Sequence, residues 1–190
     1  MVHGLSLCMK EMKTLMSRLP QPTPPQQHSN QCHGKETTTT DFISGSKYIH
    51  LITKEAAIEV ASNLRPEDRR EVIEGYGVDP ITAIPEEAQK GFCISFTVPD
   101  GRTAGLAGIG ENGAIWMLCT PAIHDFPVLF ARQAKRFIDS RQESILWNYV
   151  DKRNHVHIRL LKHLGFKFFD EVEFGPNNLP FILFKRWYYH

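Results

Sequence analysis

The sequence predicts a mixed α/β (α+β) fold, in which a mostly antiparallel sheet of about seven strands is flanked by about four helices. Three observations support this fold class. Short runs rich in branched and aromatic residues recur from residue 46 onward. Turn sequences such as Pro99-Asp100-Gly101 and Gly110-Glu111-Asn112-Gly113 join three of these runs. Between the other runs, apolar residues recur at helical spacing.

The first half of the predicted domain contains one strand, three helical segments and a three-stranded meander. Thr53 is a suitable N-cap, Pro66 suits a first helical position, and Gly75 or Gly77 suits a helix end. The predicted strands cover residues 48–52, 93–98, 103–109 and 114–119. The predicted helices cover residues 53–64, 66 to 75 or 77, and 79–89.

The second half contains two helices and three strands. Asp125 or Thr120 is expected to cap a helix over residues 127–141. A strand rich in aromatic and branched residues follows at 145–150. A second helix over residues 154–164 ends at Gly165. Two final strands are predicted at 166–174 and 181–188, on either side of a Gly-Pro-Asn-Asn turn.

Composition excludes several function classes. The 190 residues carry 22 Lys and Arg against 21 Asp and Glu, and this formal charge of +1 argues against nucleic-acid or anionic-membrane partners. No apolar run approaches the roughly 20 residues that span a bilayer. Lys10, Glu11 and Lys13 interrupt the apolar stretch near the start, so we expect no secretion signal. Four cysteines without C-x-x-C spacing favour a reducing compartment such as cytoplasm.

The composition also predicts a domain boundary near residue 45. Residues 20–41 are rich in Pro, Gln and Thr and contain no aliphatic side chain, so we expect a disordered linker. Residues 5–19 have apolar side chains near helical spacing. They form either a short partner-docking helix or a dispensable segment. The predicted division is an extension over residues 1–45 and a folded domain over residues 46–190.

The most specific stretch lies between Val150 and Phe166. A strand ends, three residues turn the chain, and Asn154 opens a helix that stops at Leu-Gly-Phe. This stretch resembles the signature V-x-x-x-N-x-x-A-x-x-L-Y-x-K-x-G-F of the GNAT N-acetyltransferase superfamily, with Asn154, Leu160, Gly165 and Phe166 at matching places. The order of predicted elements also fits that fold over about three quarters of the chain.

A closer resemblance is to phage proteins with this fold, including the internal virion protein of short-tailed phages. It is based on the strand Leu146-Trp-Asn-Tyr-Val150 and on the helix residues Asn154, His157-Ile-Arg and Leu161-Lys. This resemblance implies a protein of the host cytoplasm or of the virion. Its partners are then an amine substrate or phage head and virion proteins.

The GNAT resemblance implies a cofactor site for acetyl-CoA. In this fold the fourth and fifth strands splay apart, and the pantetheine arm pairs with the free backbone edge of the fourth strand. The matching helix residue, Asn154, then binds pantetheine, although a plain helix N-cap explains it equally well. Arg132 is a candidate for the phosphates, although basic helix faces are often only solvated. The backbone residues placed at the cofactor are Met117, Leu118, Cys119 and Thr120.

Two departures from the family pattern affect catalysis. The family's pyrophosphate loop is rich in glycine, whereas residues 120–127 contain none and carry Asp125. The family's usual proton-donating Tyr is Leu161 here. His157 lies one turn earlier on the same helix face and is a candidate proton carrier. Tyr149 is a second candidate, on the amine side. A structural His157 and a core Tyr149 are the alternatives.

Metal binding is not expected, because His155 and His157 diverge by about 200° around a helix and cannot share one ion. Two functions therefore remain open. The first is an acetyl-CoA-dependent N-acyltransferase acting on an unknown amine. The second is a non-catalytic internal virion or head-assembly protein that retains the fold.

Overall fold

The computed structural model describes Ile43 and residues 45–188. Within them it has seven strands and five α-helices. The strands are β1 (Ile49–Leu51), β2 (Phe92–Thr97), β3 (Thr103–Ile109), β4 (Ile115–Cys119), β5 (Ile145–Asp151), β6 (Lys167–Phe174) and β7 (Leu179–Trp187). The helices are α1 (Lys54–Ser62), α2 (Pro66–Arg70), α3 (Pro80–Glu87), α4 (Pro127–Asp139) and α5 (His155–His163). The predicted helix at 5–19 and linker at 20–41 lie outside the described residues.

Local chemistry at the helix ends explains most of these boundaries. The Thr53 hydroxyl accepts a hydrogen bond from the Ala56 N–H and begins α1. Gly165, at φ +84°, ends α5 in a backbone conformation that favours glycine. The predicted cap of α4 is wrong. Phe126 precedes α4 without a side-chain cap, because Thr120 instead begins a short 3₁₀ turn (Pro121–His124) and Asp125 pairs with Arg102 at 2.7 Å.

The strands form two antiparallel sheets, and this division positions everything that follows. One sheet has the order β1-β2-β3-β4 and the other the order β5-β7-β6. They meet at one isolated parallel bridge, between Ala114 and Trp147. The Trp147 indole N–H also donates to the Asn112 carbonyl at 2.9 Å. Beyond this junction β4 and β5 are not paired, so a gap opens between the two sheets.

Helices cover both faces of the sheets. On one face, α4 and α5 pack on β2, β3 and β4 through a core that includes Phe96, Phe137 and Leu161. On the other face, α1, α2 and α3 pack on β2 and β3 around Val60 and Ile84. A third apolar cluster joins β5, β6 and β7. None of the helices in the described part of the chain is long and apolar enough to cross a bilayer.

A glycine contact between two turns offers a test of this packing. Gly175 has φ +70°, and a Cβ there would collide with the Gly75 carbonyl oxygen. Gly101 has φ +89° and open space around it. We expect Gly101→Ala to cost only the backbone strain, about 1–2 kcal/mol, and Gly175→Ala to cost at least about 2 kcal/mol more because the clash adds to it. Urea unfolding measures both, and equal losses would contradict the close packing of these turns.

Candidate active site between the two sheets

The backbone of β4 faces β3 on one side and the gap on the other. The Thr120 N–H donates to the Ala104 carbonyl at 2.9 Å, and the Gly110 N–H donates to the Ala114 carbonyl at 2.8 Å. Because backbone groups alternate in direction along an antiparallel strand, the even-numbered residues of β4 pair with β3. The backbone groups of residues 115, 117 and 119 therefore point into the gap.

The first of these three residues, Ile115, has its carbonyl hydrogen-bonded to a side chain. The Asn148 amide nitrogen on β5 donates to the Ile115 carbonyl at 2.7 Å. The next outward-facing residue, Met117, lies beyond the bridge between the sheets, where no strand neighbours β4 among the described residues. Its N–H and C=O are thus placed where an extended ligand can pair with the strand edge.

The backbone groups of the third residue, Cys119, are hydrogen-bonded to α2 and to the residue before it. The Arg65 N–H donates to the Cys119 carbonyl at 2.9 Å, and the Cys119 N–H donates to an Asp68 carboxylate oxygen at 2.8 Å. The Arg65 guanidinium donates twice to Asp68, at 2.6 and 2.8 Å. Both side chains are buried, with 2% and 1% exposed. A buried ion pair therefore occupies this end of the strand edge.

Asn154 connects the ion pair to α5. Its amide nitrogen donates to Asp68 at 3.0 Å and to Glu71 at 2.9 Å. Its carbonyl oxygen accepts from Arg65 at 3.0 Å and from the His157 N–H at 3.3 Å. Asn154 is fully buried and also caps α5. Every hydrogen-bonding atom of its side chain is thus used within the protein, and its predicted contact with pantetheine stays a prediction.

A cavity of about 100 Å³ lies in the gap beside Met117. Ala134 and Leu161 line it from one side and belong to the core under α4 and α5. Val72 and Ile84 line it from the other side and belong to the core under α1, α2 and α3. The cavity therefore extends through the gap from one face of the sheets to the other.

Tyr149 on β5 lines this cavity and has an unsatisfied hydroxyl. Tyr149 lines the cavity, and its hydroxyl oxygen is buried without a hydrogen-bond partner among the residues that the structure describes. Burial raises the pKa of Tyr149, so the hydroxyl keeps its proton. An unsatisfied buried polar group costs about 1–3 kcal/mol. A ligand oxygen in the cavity would remove that cost by accepting this hydrogen bond.

Two titratable groups line the same cavity with strongly shifted pKa values. Burial raises the pKa of Glu71 to about 8, and the hydrogen bond from Asn154 offsets only part of that shift. Burial lowers the pKa of His157 to about 4, against the attraction of Asp68. Near neutral pH most Glu71 is protonated and His157 is neutral. Shifted acid–base groups gathered in one cavity are typical of catalytic sites.

Glu71 reaches the cavity through an irregular turn. Residues Glu71–Gly75 continue α2 as a π-helical turn, in which the Tyr76 N–H donates to the Glu71 carbonyl at 3.3 Å. Such turns are rare and are frequent at functional sites. The sequence patterns did not indicate Arg65, Asp68 or Glu71 as site residues. Their one local signal is a charged run beside Pro66, which also suits an ordinary solvated helix start.

The predicted site residues divide into three groups. Met117, Leu118, Tyr149 and His157 line the cavity together. Cys119 and Thr120 have their backbone groups paired inside the protein, and burial raises the pKa of the Cys119 thiol. Arg132 is exposed on α4. These roles stay predictions, but the structure brings the first group to one place and leaves Arg132 outside it.

The loop after β4 uses four of its N–H groups within the protein. The N–H groups of Thr120, Ala122, Ile123 and Asp125 donate within the protein, and Pro127, the first residue of α4, has no N–H. The Asp125 carboxylate also places negative charge here, paired with Arg102. Backbone N–H groups directed at an anion are what this kind of site requires. The chain therefore departs from the glycine-rich pattern in structure as well as in sequence.

Asp68, Glu71 and His157 each place one possible metal-ligand atom within 4.8 Å of the others. Each Asp68 oxygen already accepts two hydrogen bonds, and the Arg65 guanidinium lies beside them. A cation would have to displace a buried positive charge, which is unfavourable. The arrangement suits an internal network better than a metal centre. Of the two histidines compared in the sequence, His155 is exposed and His157 is buried.

Comparison with solved structures shows the fold. A protein from Salmonella typhimurium, solved with acetyl-CoA as its cofactor, is 16% identical over 75% of this chain and 94% of its own, with a TM-score of 0.55. A ribosomal-protein-alanine N-acetyltransferase from Brucella melitensis is 12% identical over 74% of this chain and 99% of its own, with a TM-score of 0.56. A GNAT-family acetyltransferase from Streptococcus pneumoniae is 16% identical over 73% of this chain and 97% of its own, with a TM-score of 0.51. The described residues thus have the GNAT acetyltransferase fold, as predicted.

Comparison by sequence gives a phage signal over part of the chain. Residues 105–173 match the family model described as "Bacteriophage T7, probable scaffold protein Gp13". The match runs from β3 to β6 and includes β4, β5 and Asn154. It covers less than half of the chain. No curated protein matches the sequence.

The buried ion pair gives a testable stability difference. We expect Asp68→Asn to cost about 3–5 kcal/mol of unfolding free energy, because it removes the hydrogen-bonded counter-charge of buried Arg65 and leaves only Glu67, at 4.0 Å. The matched control is Asp125→Asn, whose partner Arg102 is half-exposed, and we expect it to cost less than about 1 kcal/mol. Urea unfolding at pH 7 measures both. Similar costs for the two substitutions would contradict the assignment of Asp68 as the buried centre of the network.

Glu71 gives a testable pH dependence. A carboxyl whose pKa is raised in the folded state binds its proton more tightly there than in the unfolded state. The stability that this proton binding contributes is lost as pH rises toward about 8. His157 has the opposite sign and acts only below about pH 6.5. Between pH 6.5 and 8 we expect the unfolding free energy to fall by about 2 kcal/mol, at 1.36 kcal/mol per pH unit and proton.

Glu71→Gln removes the titrating group and should leave a flat profile over that pH range. Glu55→Gln, on the exposed side of α1, is the control and should keep the slope of the unsubstituted protein. Denaturant unfolding at half-unit pH steps measures all three proteins. A slope that survives in Glu71→Gln would assign the pH dependence to another group.

Proposed function

We propose that this chain is an N-acyltransferase that takes an acyl group from a coenzyme A thioester, acetyl-CoA in the simplest case, and passes it to a primary amine. One observation carries the proposal. The cavity extends through the gap between β4 and β5, beside the backbone of Met117 and the unsatisfied Tyr149 hydroxyl. Two reactants that enter this gap can therefore meet at one place, as direct transfer requires.

The thioester supplies an activated acyl group, and the side chains supply hydrogen bonds and proton transfer. The Tyr149 hydroxyl is placed to donate to the acyl oxygen as negative charge develops there. The ionised fraction of Glu71, which grows as the pH rises toward its pKa of about 8, takes the proton that the amine loses as its C–N bond forms. The C–S bond breaks in the same transfer, and the thiolate takes a proton from water. His157, neutral at pH 7, is a second acceptor for the amine proton.

The side of the cavity assigned to the amine is lined by acidic and aromatic side chains. Glu71, Glu87, Tyr76 and Trp116 line the cavity on the side of α2 and α3. Acidic side chains beside aromatic rings, here Glu71 and the Lys90-paired Glu87, favour an amine or its ammonium form over an anionic acceptor. This lining supports the choice of an amine as the acyl acceptor.

The residues fit one end of a coenzyme A thioester better than the other. The strand edge at Met117 and the apolar cavity walls suit the pantetheine arm and the acyl group. The loop after β4 uses its N–H groups internally and carries Asp125, so it offers the diphosphate little. The proposed function therefore rests on the thioester end of the donor.

A second function is favoured by different observations. The Arg65–Asp68 pair closes the strand edge at Cys119, and the phage family model matches residues 105–173. Both are consistent with an internal virion or head-assembly protein, within the host cytoplasm or the particle, that keeps the fold without the chemistry. Its partners would then be phage head proteins, bound through a surface rather than through the cavity.

Titration calorimetry with the full chain separates the two functions. Under the proposed function acetyl-CoA binds, and it binds more tightly than free CoA because only the thioester has an oxygen for the Tyr149 hydroxyl. Tyr149→Phe should lower the affinity for acetyl-CoA about 2–10-fold, the value of one neutral hydrogen bond. Its affinity for free CoA should not change. Its stability should be unchanged or higher, because an unsatisfied buried hydroxyl is removed.

Tyr188→Phe is the matched control. The Tyr188 side chain is half-buried, and its hydroxyl donates to the Ile138 carbonyl at 2.7 Å, away from the cavity. Its loss should cost about 1 kcal/mol of stability and leave acetyl-CoA binding unchanged. If the folded protein takes up neither acetyl-CoA nor CoA at millimolar concentration, the assembly function is favoured and the transferase proposal fails.

A further inference from the structure

The cavity has two unlike ends. Polar and titratable groups line the end toward α2 and β5, namely Glu71, Tyr149 and Glu87. Toward α4 and α5 the lining side chains are apolar apart from His157 on α5 and Asn148 on β5, and we refer to the apolar part as the apolar end. Its lining residues are Ala134, Phe137, Ile138, Leu161, Leu164 and Phe166.

The apolar end is enclosed by the core. Its six lining side chains are all buried, and all six belong to the core cluster under α4 and α5. None of them has a polar side-chain atom to hold water. A dry cavity lined by Leu, Ile and Phe side chains takes up small apolar molecules in preference to water. This end is therefore suited to a short hydrocarbon group that enters from the gap.

We propose that the apolar end binds the hydrocarbon part of the acyl donor, so that the donor carries a straight acyl chain longer than acetyl, of about four carbons. This inference rests on the proposed function and adds the class of acyl group. The thioester oxygen meets the Tyr149 hydroxyl at the polar end. The acyl chain passes Met117 and fills the space against Ala134 and Leu161.

The size of the cavity sets the chain length. An engineered cavity of about 150 Å³ holds the six carbons of benzene, and the same space per carbon allows about four carbons in the roughly 100 Å³ of the whole cavity. The acyl group, its carbonyl carbon included, therefore has at most about four carbons. Butanoyl matches this number, acetyl leaves the end unfilled, and octanoyl exceeds it. An enclosed end predicts an optimum in chain length, whereas an open groove predicts a continued rise.

The weak diphosphate site makes this chain contact more important. Because Asp125 and the paired N–H groups of the loop after β4 offer little to a diphosphate, the acyl end must contribute more of the affinity. Each buried methylene tightens binding about fourfold. The two methylenes that separate butanoyl from acetyl should therefore tighten binding about 15-fold.

Titration calorimetry with acetyl-CoA, butanoyl-CoA and octanoyl-CoA on the full chain tests the proposal. We expect butanoyl-CoA to bind about 15-fold more tightly than acetyl-CoA, and octanoyl-CoA to bind less tightly than butanoyl-CoA. Equal affinities for acetyl-CoA and butanoyl-CoA would overturn the chain-length proposal and leave the transferase function standing. A continued rise through octanoyl-CoA would overturn the enclosed end. No binding of any thioester would overturn the proposed function itself.

A pair of alanines on α4 provides matched variants. Ala134 lines the apolar end, and Ala131, one turn earlier, does not. Ala134→Val should reduce the preference for butanoyl-CoA over acetyl-CoA to less than about threefold, because two added methyl groups occupy the space of the chain. Ala131→Val has the same change in volume and helix propensity and should keep the full preference. A preference that Ala134→Val leaves intact would place the chain elsewhere. The chain-length series on the unsubstituted protein decides the matter if Ala134→Val does not fold.

Discussion

The buried ion pair of Arg65 and Asp68 is the interaction on which the site depends. It ties α2 to the end of β4 through Cys119 and to the start of α5 through Asn154. Desolvating two charges is expensive and is offset only when their hydrogen bonds are nearly complete. Asp68 meets that condition with four accepted bonds. Glu71, held by the same Asn154 amide, is thereby fixed at the cavity with two negative neighbours, Asp68 and Asp151, and one positive neighbour, Arg65.

The same network explains why the gap between the sheets is only partly available. Side chains already satisfy β4 at Ile115 and Cys119, so a ligand meets the strand edge chiefly at Met117. The cavity beside it has a cost of its own, since unfilled core space costs about 24 cal/mol per Å³, or about 2 kcal/mol for this volume. Small side chains at Ala107, Ala114 and Ala134 keep it open where larger ones would close it. A cost borne at the centre of the fold is consistent with a site rather than a packing defect.

Sequence patterns predicted the fold because its signals are local. Thr53 begins α1, Gly165 ends α5, and the turns around Gly101 and Gly113 fix the meander, each through chemistry within a few residues. The network could not be predicted in that way. Arg65 and Asn154 lie 89 positions apart, and nothing near either residue indicates the other. The predicted cap of α4 was wrong for a related reason, because Asp125 pairs with Arg102, 23 positions earlier.

The order of strands in the second sheet has a consequence for how the chain assembles. Strands β1 to β4 follow one another in the sheet as they do in the sequence, so each can pair as soon as it is synthesised. In the second sheet β7 lies between β5 and β6, although it is made after both. Neither β5 nor β6 has a pairing partner until β7 appears. The growing chain therefore carries a finished sheet and two unpaired, partly apolar strands at the same time, which is the state in which strand edges aggregate.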